Sequence, residues 1–265
     1  MLSTMLPFLL TGAAIVAAMM FALWAIHLLI RNAAIVDVGW ALGLAVLAVY
    51  YAAAAHGYPT RRLVIALMAG FWGLRLGVYL LFTRVIGVAE EGRYVQLRQE
   101  WKSNVALRFL FFFEFQAVLD VALSVPFLIA CIDPRMPLGV AEKVGAGIWL
   151  LGMCGEAIAD AQLNAFKKNP ANKGKTCRAG LWKYSRHPNY FFEWLIWVGY
   201  AVFAIAAPWG WIGLISPALI LYFLLGLTGI PATEAQALRS RGEEYRDYQR
   251  TTSAFVPWFP KRAKA

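Results

Sequence analysis

The sequence predicts an all-α, polytopic membrane protein with about seven transmembrane helices, its N-terminus outside and its C-terminus inside. Three observations predict it: seven apolar runs of spanning length, a scarcity of charge, and a one-sided distribution of lysine and arginine. Hydrophobic residues make up 60% of the 265 and charged residues only 15%, with a mean hydropathy of +0.57, a balance that excludes an ordinary soluble domain.

The runs fall at Pro7–Ile30, Ala33–Ala55, Leu63–Val85, Leu107–Ile132, Val144–Phe166, Tyr190–Ala207 and Trp209–Gly229. Each is near the roughly 20 residues that a helix needs to cross ~30 Å of hydrocarbon. The first has no basic segment before it and is longer than a signal-peptide core, so it is expected to remain as an anchor. Pro208 and Gly210 around Trp209 predict a tight turn between the last two runs. The second and third runs carry Gly39-x-x-x-Gly43 and Gly73-x-x-x-Gly77, a spacing that lets helices approach closely. Gly145-x-Gly147 has Leu150 where a dinucleotide fingerprint needs its third glycine, so helix packing is the expectation there.

Counting crossings from an outside N-terminus puts Arg31, the group Arg93, Arg98, Lys102 and Arg108, seven basic residues between Phe166 and Asn189, and seven in the tail on the inner side. The outer segments hold Arg61, Arg62, Arg135 and Lys143. This asymmetry obeys the positive-inside rule, and it accounts for the net charge of +10 through topology and anionic lipid, with no nucleic acid partner required. Cys131, Cys154 and Cys177 are far apart and the three histidines are scattered, so no metal site is expected. The chain reads as one integral membrane domain over 1–265, with 1–140 on the substrate side and 141–265 as a cofactor-binding half. In a bacterial cell it would lie in the inner membrane, with the cofactor site facing the cytosol.

Polar residues within the spans are the features that need a reason. Asp37, Arg75, Glu114, Asp120, Glu156 and Asp160 lie in or near hydrocarbon, where a central charge costs roughly 2.5–3.5 kcal/mol. In the fifth run, Glu156, Asp160, Asn164 and Lys167 recur at i, i+4, i+8 and i+11, which predicts one polar stripe near the inner edge. A stripe there lines a cavity; the alternative is a set of surface pairs at a fraying helix end. Downstream, Lys168, Lys173, Lys175 and Arg178 accompany Pro170, Asn172 and Gly174 in a loop suited to phosphate. From Arg178 to Trp194, the string R-A-G-L-W-K-Y-S-R-H-P-N-Y-F-F-E-W concentrates basic, aromatic, amide and carboxylate groups against the start of an apolar run. An anionic ligand held at that edge explains the concentration.

The runs E-A-I-A-D-A-Q-L-N-A-F-K and G-L-W-K-Y-S-R-H-P-N-Y-F-F-E-W, with the tail elements E-A-Q-A-L-R, E-E-Y-R-D-Y and P-W-F-P, resemble the bacterial branch of the membrane-bound steroid 5-alpha-reductase family. The resemblance covers roughly Gly155 to Pro260 well and the first half loosely. It implies a seven-helix fold that binds NADPH from the cytosolic side and reduces the carbon–carbon double bond of a 3-oxo-4-ene steroid or a similar lipophilic enone. Glu156, Asp160 and Lys167 match polar cofactor contacts on the family's equivalent helix. Arg178, Tyr184, Asn189 and Glu193 match the motif that grips the nicotinamide half and the pyrophosphate. Asn164, Lys175, Arg186, His187 and Glu234 complete the candidate cofactor set. Glu234 and Leu238 stand where animal members carry His and Tyr, a departure that puts the tail's contribution in question.

Reduction of an enone places a hydride on the β-carbon while negative charge develops on the carbonyl oxygen, so the protein must supply orientation and a donor. Candidate catalytic residues are Asp37, provided that burial keeps it protonated, and Tyr94 in the segment Glu90–Tyr94, with Glu91 beside it. Trp72 aligns with the tyrosine of animal members; Trp40, Trp72 and Arg75 are the candidate substrate contacts. Tyr94 as an interfacial belt residue, and Glu91 with Arg93 as a surface pair, are the structural alternatives. A second enzyme class fits the same strings. R-H-P-N-Y and the terminal E-E-Y-x-x-Y also resemble the isoprenylcysteine and phospholipid methyltransferases, in which His187, Arg186 and Glu234 would hold S-adenosylmethionine. A noncatalytic lipid or sterol transporter is a third reading; it calls for a second polar opening on the outer side, where the chain is nearly bare of charge.

Overall fold

Among the described residues, every apolar run is mostly helical. The computed structural model describes residues 2–227 and 229–261; among them there is no strand, and the β-structure consists of an isolated bridge between Ser185 and Ser253. By length and composition, six helices among the described residues suffice to cross a membrane: Ser3–Ile30, Ile35–Ala54, Pro59–Val85, Val105–Ile132, Val140–Lys168 and Gly210–Arg241. The protein is therefore an all-helical, multi-pass membrane protein. The expected seventh crossing at Tyr190–Ala207 forms a shorter helix over Pro188–Ala204, whose 17 residues, about 25 Å at ~1.5 Å per residue, stand at the lower end of spanning length. Pro188 opens that helix, and a turn closed by Gly210 N donating to Ala207 O at 2.8 Å follows it.

The chain divides into two compact units. The first comprises Met1–Gly139 with Ala204–Gly213. Its helices are α1 (Leu2–Ile30), α2 (Ile35–Ala54), α3 (Pro59–Leu80, running on as a π turn over Leu81–Val85), α4 (Gly92–Trp101), α5 (Val105–Leu123) and α6 (Val125–Ile132). α2 is the central element, with α1, α3, α5 and α6 packed around it. Small residues make this possible: a methyl group on Gly73 would strike the backbone carbonyl of Ala41 on α2, and one on Gly43 would strike Asp120 on α5. Prolines set the first turns of α3 and α6, where a missing N–H costs nothing.

At the ends of this unit, charge is paired within the protein. Arg61 is 2% exposed and donates to the carbonyls of Asp133 (2.8 Å) and Arg135 (2.7 Å), while the Asp133 carboxylate also takes Arg135 Nη2 at 2.7 Å. At the opposite end of α2, Glu90 accepts from Ala33 N (2.7 Å) and from Arg98 Nε (2.8 Å), which fixes the approach to α4.

The second unit comprises Val140–Phe203 with Leu214–Ala265. Its helices are α7 (Val140–Lys168), α8 (Pro188–Ala204), α9 (Ile215–Tyr222, followed by a π turn over Phe223–Leu227), α10 (Ile230–Arg241) and α11 (Glu243–Thr251). α7 and α8 touch through glycine. A methyl group on Gly145 would stand 2.7 Å from Gly199 O, whereas Gly147 faces open space, so the Gly145-x-Gly147 pair belongs to packing. Trp149 Nε1 donates to Tyr200 Oη (3.0 Å) and Trp194 Nε1 to Pro217 O (3.1 Å), which satisfies indole donors inside an apolar layer.

Arg61→Ala removes a donor from the carbonyls of Asp133 and Arg135, leaving the first with Tyr58 N alone, while the Asp133 carboxylate keeps Arg135. The expected loss is about 2–3 kcal/mol, read as a lower thermal midpoint in detergent with partial rescue by Arg61→Lys; an unchanged midpoint contradicts the assignment.

Candidate functional site

In the second unit, the last turn of α7, the segment 169–187, the start of α8, and helices α10 and α11 surround a cavity of about 520 Å³. Five cations line it: Lys167, Lys173, Lys175, Arg186 and Arg241. Among the described lining residues none is acidic. Aromatic walls come from Trp182, Tyr190, Tyr245 and Tyr248. A concave surface of this sign concentrates anions, and its nearby apolar walls keep the field from being screened.

The loop that carries two of the lysines is held from outside the cavity. Gly174 turns it through a left-handed conformation, φ +79°, which glycine adopts without strain. Thr176 then donates from N (3.0 Å) and Oγ1 (2.5 Å) to the Glu244 carboxylate of α11. Arg178 donates to Asp247 Oδ2 (2.8 Å) and to Glu244 O (2.6 Å), with its guanidinium 5.2 Å from the centre of the Tyr248 ring. Tyr248 Oη donates to the carbonyls of Trp182 and Ser185. Burial, then the neighbouring Tyr245, raises the Tyr248 hydroxyl above the usual phenol range; burial, then the charge of Glu234, pushes Tyr245 up to about 12. Both stay protonated; Tyr248 acts as a donor, whereas Tyr245 accepts from the Arg186 guanidinium. Burial likewise raises the Cys177 thiol, so the cavity holds a thiol and no thiolate nucleophile.

Arg186 is the node of the back wall. Its Nε donates to Glu234 Oε1 at 2.6 Å, and its Nη1 to the carbonyls of Gln249 (3.0 Å) and Thr252 (2.6 Å). Glu234 also receives Gln249 Nε2 (2.7 Å) and stands 3.2 Å from His187 Nε2, and the His187 ring stacks on Tyr190 with centroids 5.3 Å apart. In the first turn of α8, Asn189 Nδ2 donates to Asp160 Oδ1 at 3.2 Å. Asp160 can only accept, so the amide nitrogen must face it. The buried Asn189 Oδ1 has no partner, and Asn189 lines the cavity. An orphaned acceptor at a cavity wall suits an N–H of a ligand.

Of the residues expected from the sequence, Lys167, Lys175, Arg186, His187 and Asn189 line this cavity; Asp160 joins through Asn189, and Glu234 through Arg186 and His187. The rest lie elsewhere. Glu156 is buried on α7 and Asn164 is exposed. Arg178 secures the loop, Tyr184 packs edge-on against Phe259 with centroids 6.0 Å apart, and Glu193 accepts from Trp197 Nε1 at 2.9 Å. Arg241, Tyr245 and Tyr248 were not among the expected contacts. The spacing of Tyr245 and Tyr248, three apart on α11 and packed with Ala237, is the signal that identifies them.

In the first unit the three candidate catalytic residues meet. Asp37, in the first turn of α2, accepts from Tyr94 Oη at 2.8 Å through Oδ1, and from Arg84 Nη1 (3.1 Å) and Arg93 Nη2 through Oδ2. Glu91 accepts from Arg84 at 3.0 Å and lies 3.6 Å from Arg93 Nε. Tyr94 is 1% exposed, and the Arg93 guanidinium lies 4.6 Å from the centre of its ring. Burial, then the negative charge of Asp37, pushes the Tyr94 hydroxyl well above the usual phenol range, so it keeps its proton. The sequence suggested a protonated Asp37; the geometry gives this carboxylate three donors and the role of acceptor. Trp40 and Trp72 meet edge to face at 5.5 Å, and Arg75 follows Trp72 by about one turn of α3.

A family model described as "Protein of unknown function (DUF1295)" matches residues 23–252, and the chain belongs to that family. A protein of Ustilaginoidea virens named "Probable O-methyltransferase ustE" is 44% identical over 43 residues, which is 16% of this chain and 15% of that protein's length. No solved structure matches the chain.

Glu234→Ala leaves Arg186 and His187 without their shared carboxylate, at an expected local cost of about 3 kcal/mol. Amide exchange in α11 and the tail should then accelerate roughly 100-fold, with the first half of α7 unaffected. Unaltered exchange would remove Arg186 as the node.

Proposed function

We propose that this DUF1295 membrane protein binds NADPH in the cation-lined cavity of its second unit and reduces the carbon–carbon double bond of a lipophilic enone of the 3-oxo-4-ene steroid type. The observation that carries the reading is the lining itself: five cations, no acid among the described residues, and the partnerless amide oxygen of Asn189. NADPH presents a diphosphate, a ribose monophosphate and a carboxamide. Lys167, Lys173, Lys175 and Arg241 suit the phosphates, and Asn189 Oδ1 suits the carboxamide N–H. Tyr190 and Tyr245 offer aromatic faces to a ring system.

When bound, the nicotinamide would supply the hydride that an enone accepts at its β-carbon. The chain's own contribution in the first unit is a positioned donor. The Tyr94 hydroxyl keeps its proton and donates a hydrogen bond to Asp37, which Arg84 and Arg93 hold; to meet a carbonyl oxygen, that O–H turns away from Asp37, which keeps its two arginine donors. This geometry supports Tyr94 over Asp37 as the group that meets negative charge on a carbonyl oxygen. Trp40, half-buried and held edge to face by the fully buried Trp72, supplies an apolar face that a polycyclic substrate drawn from lipid would contact. The excess of lysine and arginine in the segment 167–186 and the tail supports a cytosolic cavity, with the N-terminus outside.

The methyltransferase reading is favoured by the name of the partial relative. Two observations oppose it. The Arg186, His187 and Glu234 groups that would hold S-adenosylmethionine are bonded to one another and to the tail carbonyls. A sulfonium cation also gains nothing from five surrounding cations.

The test is turnover by the purified full chain with NADPH and progesterone, followed as nicotinamide absorbance and as a product two mass units heavier. Tyr94→Phe should lower kcat about 100-fold with the KM for NADPH unchanged, and Asn189→Ala should raise that KM about tenfold. Methyl transfer from S-adenosylmethionine without NADPH oxidation sinks the proposal.

A further inference from the structure

After α11 the chain doubles back as a strap over residues 252–261. Arg186 N donates to Ser253 O (2.8 Å), Trp258 N to Tyr184 O (2.9 Å), Ser185 Oγ to Phe255 O (2.7 Å) and Lys261 N to Thr251 O (2.8 Å). These bonds tie the strap to the residues just before the apolar helix α8. The last spanning segment ends at Arg241, and α11 starts at Glu243. The strap therefore belongs to the part of the chain that leaves the hydrocarbon.

Between the strap and the end of α11 lies a second cavity, of about 440 Å³, with Arg250, Lys261 and Arg186 in its lining and no acid among the described lining residues. Arg250 is loosely held: its Nη2 is 3.6 Å from Glu243, with both side chains about 70% exposed, a pairing that contributes little. Beside these cations Trp258 is 69% exposed and Phe259 75% exposed. Two adjacent aromatic side chains left open next to lysine and arginine are the pattern of a membrane–water interface, where an indole and a phenyl ring enter the headgroup layer while cations meet phosphate.

We infer that this cavity binds the phosphate headgroup of an anionic glycerophospholipid, with Trp258 and Phe259 seated in the bilayer interface beside it. A free phosphate would satisfy the cations and leave the aromatics in water; a lipid satisfies both. The two cavities share Arg186, but the inference does not rest on the cofactor reading, because Arg250, Lys261, Trp258 and Phe259 line the second cavity alone. It also gives the lipid a structural consequence: the strap carries Thr252, whose carbonyl holds Arg186, so a bound headgroup braces the back wall of the larger cavity.

The test is lipid retention by the full chain, measured by native mass spectrometry after extraction from bilayers of equal phosphatidylglycerol and phosphatidylcholine. Wild type is expected to retain phosphatidylglycerol preferentially. Arg250→Gln and Lys261→Gln should each reduce that preference about fivefold, while Lys143→Gln, at the other end of α7, leaves it unchanged. Trp258→Ser, with every charge intact, should lower retention and should abolish the Trp258 share of quenching by brominated lipid. Equal retention of the two lipids, or full retention by the Arg250 and Lys261 double variant, overturns the proposal. Displacement of phosphatidylglycerol by glycerol phosphate at equal concentration also overturns it, in favour of a site for soluble phosphate.

Discussion

A chain with 15% charged residues and, among the described residues, six helices apolar enough for a bilayer must pair the charges that it buries, because neither hydrocarbon nor a packed interior offers them water. Both candidate sites grow out of that constraint. In the second unit Arg186 gathers Glu234, Gln249 and Thr252, and through them fixes α10, α11 and the strap around the segment before α8. In the first unit Asp37 gathers Arg84, Arg93 and Tyr94 from the end of α3 and from α4. Remove either node and the elements that it joins lose their common partner.

The sign of the larger cavity follows from the same pairing. The acids nearest to it are already engaged in holding its walls: Glu244 takes Thr176, Asp247 takes Arg178, and Glu234 takes Arg186, His187 and Gln249. None of them lines the cavity among the described residues, which leaves the lysines of the 169–187 segment and Arg241 to set the potential. Asn189 shows the same division: its nitrogen is tied to Asp160, and its buried oxygen carries no hydrogen bond.

Fold class was legible from the sequence because spanning length and apolar character are local properties. The run Tyr190–Ala207 is apolar as read but makes a shorter helix than the others, because Pro188 opens it and the turn at Ala207 closes it. The polar stripe on α7 was legible only in part. Each step of four residues advances a helix by about 40° beyond a full turn, so Asn164, two steps from Glu156, swings off the shared face and is exposed, whereas Lys167, after about 20° of net drift, reaches the cavity. Arg178 and Glu193 had the right chemistry in the right string, but each also meets a partner within the protein: Asp247, 69 residues on, and Trp197, one turn on along α8. No local pattern announces the first; the i,i+4 spacing could have announced the second. The meeting of Asp37 with Tyr94, 57 residues apart, was likewise beyond local reading, as was its consequence that aspartate accepts and tyrosine donates.

The central claim is that the cation-lined cavity is a site for a phosphorylated nicotinamide dinucleotide, and equilibrium binding tests it most directly. Titration calorimetry of the purified full chain in detergent should show saturable binding of NADPH that weakens as salt is raised, weaker binding of NADH, and no heat with S-adenosylmethionine. Saturable binding of S-adenosylmethionine with none of NADPH would contradict the account.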